Sequence, residues 1–270
     1  MHLHGRRALV TGASRGIGAA LARQLARRGA QLALVARAST ALDGVATELG
    51  GVAYPCDLTD LTAVDDLVER VEADGGVDVL INNAGVSNVG WFLDRTLPEI
   101  DQVITLNLTA PLHLCRLLLP RMIARGRGHV VNISSMAGVI APPGLVAYGA
   151  SKAGLSHMTA GLRADLRDQP VTLTNVHLGS VATDMDDAAR SYGPLRQLAE
   201  RSSGRDITPM DDFVAAVVRA IEHDREEVRV PRAMAPLAAA TNLPRRIGRL
   251  VFARAMVAEP RPDPPPSPSP

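Results

Sequence analysis

Thr11-Gly12-Ala13-Ser14-Arg15-Gly16-Ile17-Gly18 is the stretch that decides the fold. It follows the aliphatic run Ala8-Leu9-Val10 and precedes a helical pattern that runs to about Arg28, where Gly29 stops it. Small residues between a strand and a helix let the backbone approach a pyrophosphate. The helix N-terminus then adds free N–H groups and the positive end of its dipole. The spacing is Gly-x-x-x-Gly-x-Gly rather than the commoner Gly-x-Gly-x-x-Gly. Alone it also fits a tight loop; its place between strand and helix favours a dinucleotide turn.

The same alternation continues outward. Residues 31–36, 51–54, 77–82, 129–133, 171–176 and 228–230 read as strands. Residues 41–49, 61–73 and 149–166 read as helices, with Thr59 or Asp60 as the cap of the second. Thr96-Leu97-Pro98-Glu99 is a capping-box start for a long helix to about Ala124, and Thr208-Pro209 opens another. Strands that are aliphatic without polar alternation are covered on both faces. Alternating strands and helices give a parallel sheet with right-handed crossovers. The expected fold is α/β: a single doubly wound, Rossmann-type domain with a central parallel sheet, over residues 1–232. Residues 233–258 read as a helical extension and 259–270, nearly all Pro and Ser, as a disordered tail.

Composition narrows the function. The 270 residues carry 29 basic against 28 acidic side chains, a net charge of +1, which argues against a nucleic-acid partner. Of the basic residues 28 are Arg and one is Lys, Lys152. Cys56 and Cys115 show no metal spacing, so no metal is expected. No secretory signal and no run near ~18 apolar residues is present, so the expectation is a soluble cytoplasmic protein without a membrane span.

Two patterns carry chemistry. The second strand ends Val35-Ala36-Arg37, where an NAD site would place a carboxylate for the ribose 2′-hydroxyl. Arg37, with Arg15 of the glycine turn, instead suits a 2′-phosphate, favouring NADP(H) over NAD(H). The alternative is two surface arginines in an Arg-rich chain. Tyr148-Gly149-Ala150-Ser151-Lys152 puts a phenol and an ammonium one helical turn apart. An ammonium favours tyrosinate, lowering a pKa of ~10 toward the range of useful proton transfer.

These residues resemble the short-chain dehydrogenases/reductases over about residues 5–232. The matching elements are 11–18, Asp57, Asn82-Asn83-Ala84-Gly85, Asn107, and Ser135 with Tyr148 and Lys152. The resemblance implies Tyr148 as general acid/base, with Ser135 (rather than its neighbour Ser134) on the substrate oxygen. Lys152 would bond the nicotinamide ribose, and Asn107 would hold a water linking Lys152 to solvent. The cofactor would meet Gly12, Ser14, Arg15, Gly16, Ile17 and Gly18 at its phosphates, with Arg37, Asp57 and Leu58 toward the adenosine. Asn83, Ala84 and Gly85 would line the groove. Tyr148, Lys152, Gly179, Val181 and Thr183 would meet the nicotinamide end. Leu178 stands where the family has Pro, which should loosen that turn. A homodimer or homotetramer is implied.

Met136, Val139, Ile140, Pro142, Leu145, Val146 and Met185 fall where the family frames its substrate. They suggest a hydrophobic ketone or secondary alcohol, or else core packing. Residues 184–205 read as a lid, in which Arg190, Arg196, Arg201 and Arg205 could meet an anion. Residues 243–257 form a basic amphipathic pattern, read as packing on the domain or a partner subunit in preference to a membrane surface. The expected activity is NADP(H)-dependent interconversion of a carbonyl and an alcohol; the alternative is a non-catalytic nucleotide-binding sensor or scaffold.

Overall fold

A computed structural model describes residues 1–183, 185–187, 192, 193, 195 and 207–231. The expected extension at 233–258, the tail at 259–270, and Arg190, Arg196, Arg201 and Arg205 lie outside the described residues.

Seven strands form one sheet: β1 (Arg7–Thr11), β2 (Gln31–Ala36), β3 (Val52–Pro55), β4 (Val79–Asn82), β5 (Gly128–Ser135), β6 (Val171–Leu178) and, last in the chain, β9 (Glu227–Val230). Their order is β3-β2-β1-β4-β5-β6-β9 and every pairing is parallel. The chain winds outward from β1 to β3, then returns to start again at β4. The carboxyl ends of β1 and β4 therefore flank the point where the winding reverses, which is where such sheets bind ligands.

Helices cover both faces. They are α1 (Gly16–Arg27), α2 (Thr40–Leu49), α3 (Leu61–Ala73), α4 (Leu97–Ile104), α5 (Ala110–Ala124), the single turn α6 (Ala137–Ile140), α7 (Val146–Asp165) and α8 (Met210–Glu222). Period-2 alternation splits the strand side chains between two cores. Val10, Leu34 and Ile81 meet Leu21 and Leu25 of α1 and Phe213 and Val217 of α8. Leu9, Val35 and Leu80 meet Leu67 of α3 and Leu114 and Leu118 of α5. The continuous aliphatic runs of the sequence are these two alternating sets superposed.

Differences from expectation are local. Asp60, not Thr59, caps α3. The Thr96/Glu99 capping box forms as read, but the long helix Leu97–Ala124 is interrupted by a π turn at Thr105–Thr109. By length and composition that helix is apolar enough to cross a membrane, which the sequence reading did not anticipate. Here it is a core helix: Leu114, Leu118 and Met122 are fully buried beneath the sheet. α7 starts at Val146, three residues early, and β7 (Ser180–Val181) and β8 (Ile207–Thr208) pair as a small second sheet.

Phe213 is the largest fully buried side chain among the described residues, and it joins α8 to the sheet. Phe213→Ala should cost ~3–5 kcal/mol in urea unfolding, as cavity-forming aromatic truncations do. A loss below ~1 kcal/mol would mean that α8 contributes little to the core.

Candidate active site

The carboxyl ends of β1, β4, β5 and β6 surround a cleft of about 430 Å³. Gly12, Ser14, Arg15, Gly16 and Ile17 reach it from the glycine turn, and Asn83, Ala84 and Gly85 from the loop after β4. Tyr148 and Lys152 reach it from α7; Leu178, Ala182, Thr183 and Met185 reach it from β6 and the chain beyond. Ile133 and Ser134 complete it from β5. Ile133 and Ala182 were not read from the sequence, since nothing in an apolar strand end or a loop alanine marks a cleft.

The glycine turn is locked to the loop after β4. Thr11 Oγ1 donates to Ile81 O at 3.1 Å and accepts from Asn83 N at 2.9 Å and Ala84 N at 3.0 Å. Asn83 Nδ2 donates to Thr11 O at 2.9 Å. Gly12 is left-handed at φ 66°. A Cβ on Gly18 would lie 2.1 Å from Gly12 O, so only glycine permits the packing of α1 on its own turn. The N-terminus of α1 has no side-chain cap and no acidic residue in its first turn. Its N–H groups suit an anion, and the cleft falls within the ~300–1,000 Å³ usual for ligand sites. The turn therefore fits a dinucleotide.

Gly18, Arg37, Asp57, Leu58, Asn107, Ser135, Gly179 and Val181 do not line the cleft, and Arg37, Asp57 and Leu58 lie beyond the ends of β2 and β3. Asp57 Oδ1 accepts from Thr59 N at 2.9 Å and Thr59 Oγ1 at 2.8 Å. Those bonds, and behind them the Arg37 guanidinium, hold the Asp57 carboxyl below the usual range. Arg15 and Arg37 are both exposed, while Leu58 is buried in the core.

Ser135 and Ser134 divide cleanly. Ser134 is 1% exposed, donates to Lys152 O at 2.8 Å and faces Ser156 Oγ at 2.7 Å. Ser135 is only part-buried and accepts from Ala137 N at 3.1 Å, and its hydroxyl bears on the Tyr148 phenol. Lys152 is 4% exposed and donates from Nζ to Ile133 O at 2.8 Å. Burial brings its pKa down to about 8. Its Nζ stands 5.8 Å from the Tyr148 ring centroid.

Tyr148 departs from the sequence expectation. Burial pushes its phenol above the ordinary value, and the Ser135 hydrogen bond pulls only partly back. The ring keeps some surface toward the cleft, but dense surroundings dominate over an ammonium that has turned to a backbone carbonyl.

Asn107 sits in the π turn, fully buried. Its Oδ1 accepts from Val86 N at 2.9 Å; its Nδ2 donates to Val86 O at 2.9 Å and Ser151 Oγ at 3.1 Å. This is a bridge between backbone and α7. A Cβ on Gly85 would fall 3.0 Å from Asn107 Oδ1 and 3.5 Å from Lys152 Nζ, so the loop after β4 packs closely on both. Beyond β6, Gly179 N donates to Val230 O at 2.7 Å and Met136 N to Leu178 O at 2.8 Å. The turn that Leu178 was expected to loosen is pinned by these bonds. Val181 is buried in β7, and Thr183 Oγ1 accepts from Asp186 N at 3.3 Å.

The family model for "short chain dehydrogenase" matches residues 6–192. The chain belongs to the short-chain dehydrogenase family. A fatty acyl-CoA reductase of Mycobacterium tuberculosis is 40% identical over 211 residues, 73% of this chain and 70% of its own. A short-chain dehydrogenase from Sphingobium yanoikuyae, solved with NADPH, superposes with a TM-score of 0.75 at 29% identity, covering 96% of this chain and 98% of that one. A family member from Burkholderia phymatum, solved with NAD, gives 0.77 at 27% identity over 88% of this chain and 93% of that one. Family membership makes the chain an oxidoreductase on a Rossmann-type sheet.

A short-chain dehydrogenase with a buried lysine should show it in its stability. Lys152 titrates near pH 8 when folded and above ~10 when unfolded. Between those values the unfolded chain binds the extra proton, so stability rises with pH across that window. The rise should be on the order of 1–2 kcal/mol between about pH 8 and about pH 10 in urea unfolding, and Lys152→Met should abolish it. A slope that survives Lys152→Met would place its origin elsewhere.

Proposed function

We propose that the chain is an NADP(H)-dependent oxidoreductase that interconverts a carbonyl and a secondary alcohol on a hydrophobic small molecule. The observation that carries this reading is the meeting of Tyr148 and Lys152 in the glycine-turn cleft, with Ser135 bearing on the Tyr148 phenol. A non-catalytic sensor would need the cleft but not a phenol bonded to a serine next to a buried ammonium.

Gly12, Gly16 and the N-terminus of α1 would receive the pyrophosphate, and Lys152 the ribose. A bound nicotinamide supplies the hydride. Ser135 Oγ and the Tyr148 hydroxyl hold the carbonyl oxygen, and Tyr148 gives its proton as alkoxide develops. A phenol kept above its ordinary pKa remains protonated at neutral pH, which suits donation in the reductive direction. In the oxidative direction the Lys152 ammonium favours the tyrosinate, and it is charged below about pH 8. Asn107 ties α7 to the loop after β4 and so fixes where Lys152 stands; a water there, linking Lys152 to solvent, belongs to the same proposal.

Cofactor choice rests on Arg15 and Arg37 at the ends of β1 and β2, with no carboxylate at the end of β2. Relatives solved with NADPH and with NAD occur, so the arginines support the choice and the fold does not. Gly179, Val181 and Thr183 are proposed at the nicotinamide end, and Asp57 and Leu58 at the adenine.

The substrate side divides. Met136 and Leu145 are buried in the domain, whereas Ile140, Val146 and Met185 are exposed. Phe92, Ile100 and Val146 share the walls of a small depression just ahead of Tyr148 with Asn88 and the Arg95–Glu99 ion pair, and Trp91 is 61% exposed. These apolar faces support a hydrophobic substrate. Leu97 and Leu112, exposed on the long helix, support a homo-oligomer. A cytoplasmic location, the domain at 1–232, the extension at 233–258 and the tail at 259–270 complete the proposal.

Tyr148→Phe should lower NADPH-dependent turnover across a panel of aliphatic and aromatic ketones by at least ~100-fold, the range of a lost general acid. Turnover within ~10-fold of wild type would remove Tyr148 from the reaction. In a fluorescence titration NADPH should bind at least ~10-fold tighter than NADH, the worth of a charge-assisted phosphate contact. The reverse order would overturn the role of Arg15 and Arg37.

A further inference from the structure

The face of α7 toward the sheet is polar. Lys152, Ser156, Thr159 and Arg163 are spaced 4, 3 and 4 apart, so they form one stripe along the helix. Each bonds the sheet. Lys152 Nζ donates to Ile133 O at 2.8 Å, and Thr159 Oγ1 accepts from Asn132 Nδ2 at 2.8 Å. Arg163 Nε donates to Leu173 O at 2.9 Å and Nη1 to Glu227 Oε1 at 2.7 Å.

Ser156 stands at the centre. Ser134 Oγ gives its one proton to Lys152 O, so Ser156 Oγ donates to Ser134 Oγ at 2.7 Å. Asn175 Nδ2 then donates to Ser156 Oγ at 3.3 Å. His177 Nε2 has two neighbours, Asn175 Nδ2 at 2.9 Å and Glu227 Oε2 at 3.1 Å. The chain of contacts therefore runs from the Lys152 backbone across β5 and β6 to β9. Ser134, Ser156, Asn175 and His177 are all 5% exposed or less.

Apolar packing is not directional and tolerates sliding. A slip of one residue along a helix is ~1.5 Å, which takes a 2.8 Å hydrogen bond beyond its useful range. We propose that Ser156, Asn175 and His177 form a positioning relay, anchored on Glu227 and Arg163, that fixes the height of α7 on the sheet and with it the placement of Lys152 and Tyr148. None of the three is assigned to touch the cofactor or the carbonyl. The proposal rests on the reading of Tyr148 and Lys152 as the reacting pair.

Lys152 is the single lysine of the chain, so protein labelled with ¹³C,¹⁵N-lysine gives one lysine spectrum. Wild-type Lys152 should titrate near 8. In Ser156→Ala and His177→Leu, a loosened α7 admits water and the midpoint should rise by about one pH unit toward the ordinary lysine value. His177→Gln offers an amide oxygen to accept from Asn175 Nδ2 and an amide N–H to donate to Glu227 Oε2, and should restore it. With the ketone panel, kcat should fall about tenfold or more while KM stays within about threefold, the mark of misplaced chemistry rather than lost binding. An unmoved Lys152 midpoint in a folded variant overturns the relay, as does failure of the Gln variant to restore it. If His177→Leu does not fold, Ser156→Ala and Glu227→Gln carry the same comparison. If wild type reduces no ketone, the oxidoreductase reading fails, and the Lys152 titration still decides the relay.

Discussion

Burial of one ammonium organises the site. Among the described residues Lys152 has no carboxylate partner, and its Nζ leans on the carbonyl of Ile133. Removing such a charge from water is costly, which is why its pKa falls. The surroundings are arranged around that cost. A Cβ at Gly85 would press on Asn107 Oδ1 at 3.0 Å and touch Lys152 Nζ at 3.5 Å. Asn107 must stay bonded to Val86 and Ser151, and the π turn aims it there. π turns inside α-helices often mark functional positions, and this one carries Asn107.

Much of this was legible in the sequence, and the reasons are physical. The glycine turn was readable because a close backbone approach excludes side chains, which leaves a composition signal. The strands were readable because burial on both faces demands continuous aliphatic residues. Tyr148 and Lys152 were readable because four residues make about one turn. The division of labour between Ser134 and Ser135 depended instead on which face of β5 each occupies. The π turn has no composition signal: Thr105-Leu106-Asn107-Leu108-Thr109 reads as ordinary helix. The upward displacement of the Tyr148 phenol was also hidden, since sequence spacing shows the neighbouring charge but not the burial that outweighs it.

The two ends of the cleft follow different designs. At the chemical end Ser134, Lys152 and Asn107 are buried and their bonds are made within the protein. At the glycine turn and the end of β2, Arg15 and Arg37 are exposed, and Arg37 bears on Asp57 through space. Exposed charges interact weakly and are screened by salt. Geometry around Lys152 is thus set by folding, while the proposed cofactor would add its charge to the surroundings of the two exposed arginines. Related enzymes can therefore differ in cofactor while sharing the sheet and the cleft.

The same contrast explains why one lysine survives among 28 arginines. Arg163 and Arg7 are surrounded by acceptors, although Arg95, Arg121, Arg125 and Arg229 each leave one buried guanidinium nitrogen unpartnered. Arg163 uses Leu173 O, Glu226 O and Glu227; Arg7 uses Val71 O, Asp74 O and the Tyr54 hydroxyl. A guanidinium brings five donors in a fixed plane, and each must be met when water is excluded. The protein meets Lys152 Nζ with the single carbonyl of Ile133, on a turn that Gly85 has already narrowed. An ammonium can turn its remaining protons toward the cleft, where the Tyr148 ring stands 5.8 Å away. A guanidinium in that space would bring five donors in a fixed plane against few acceptors. The arginine bias of the chain therefore stops at the position where shape and acceptor count, rather than charge, decide the residue.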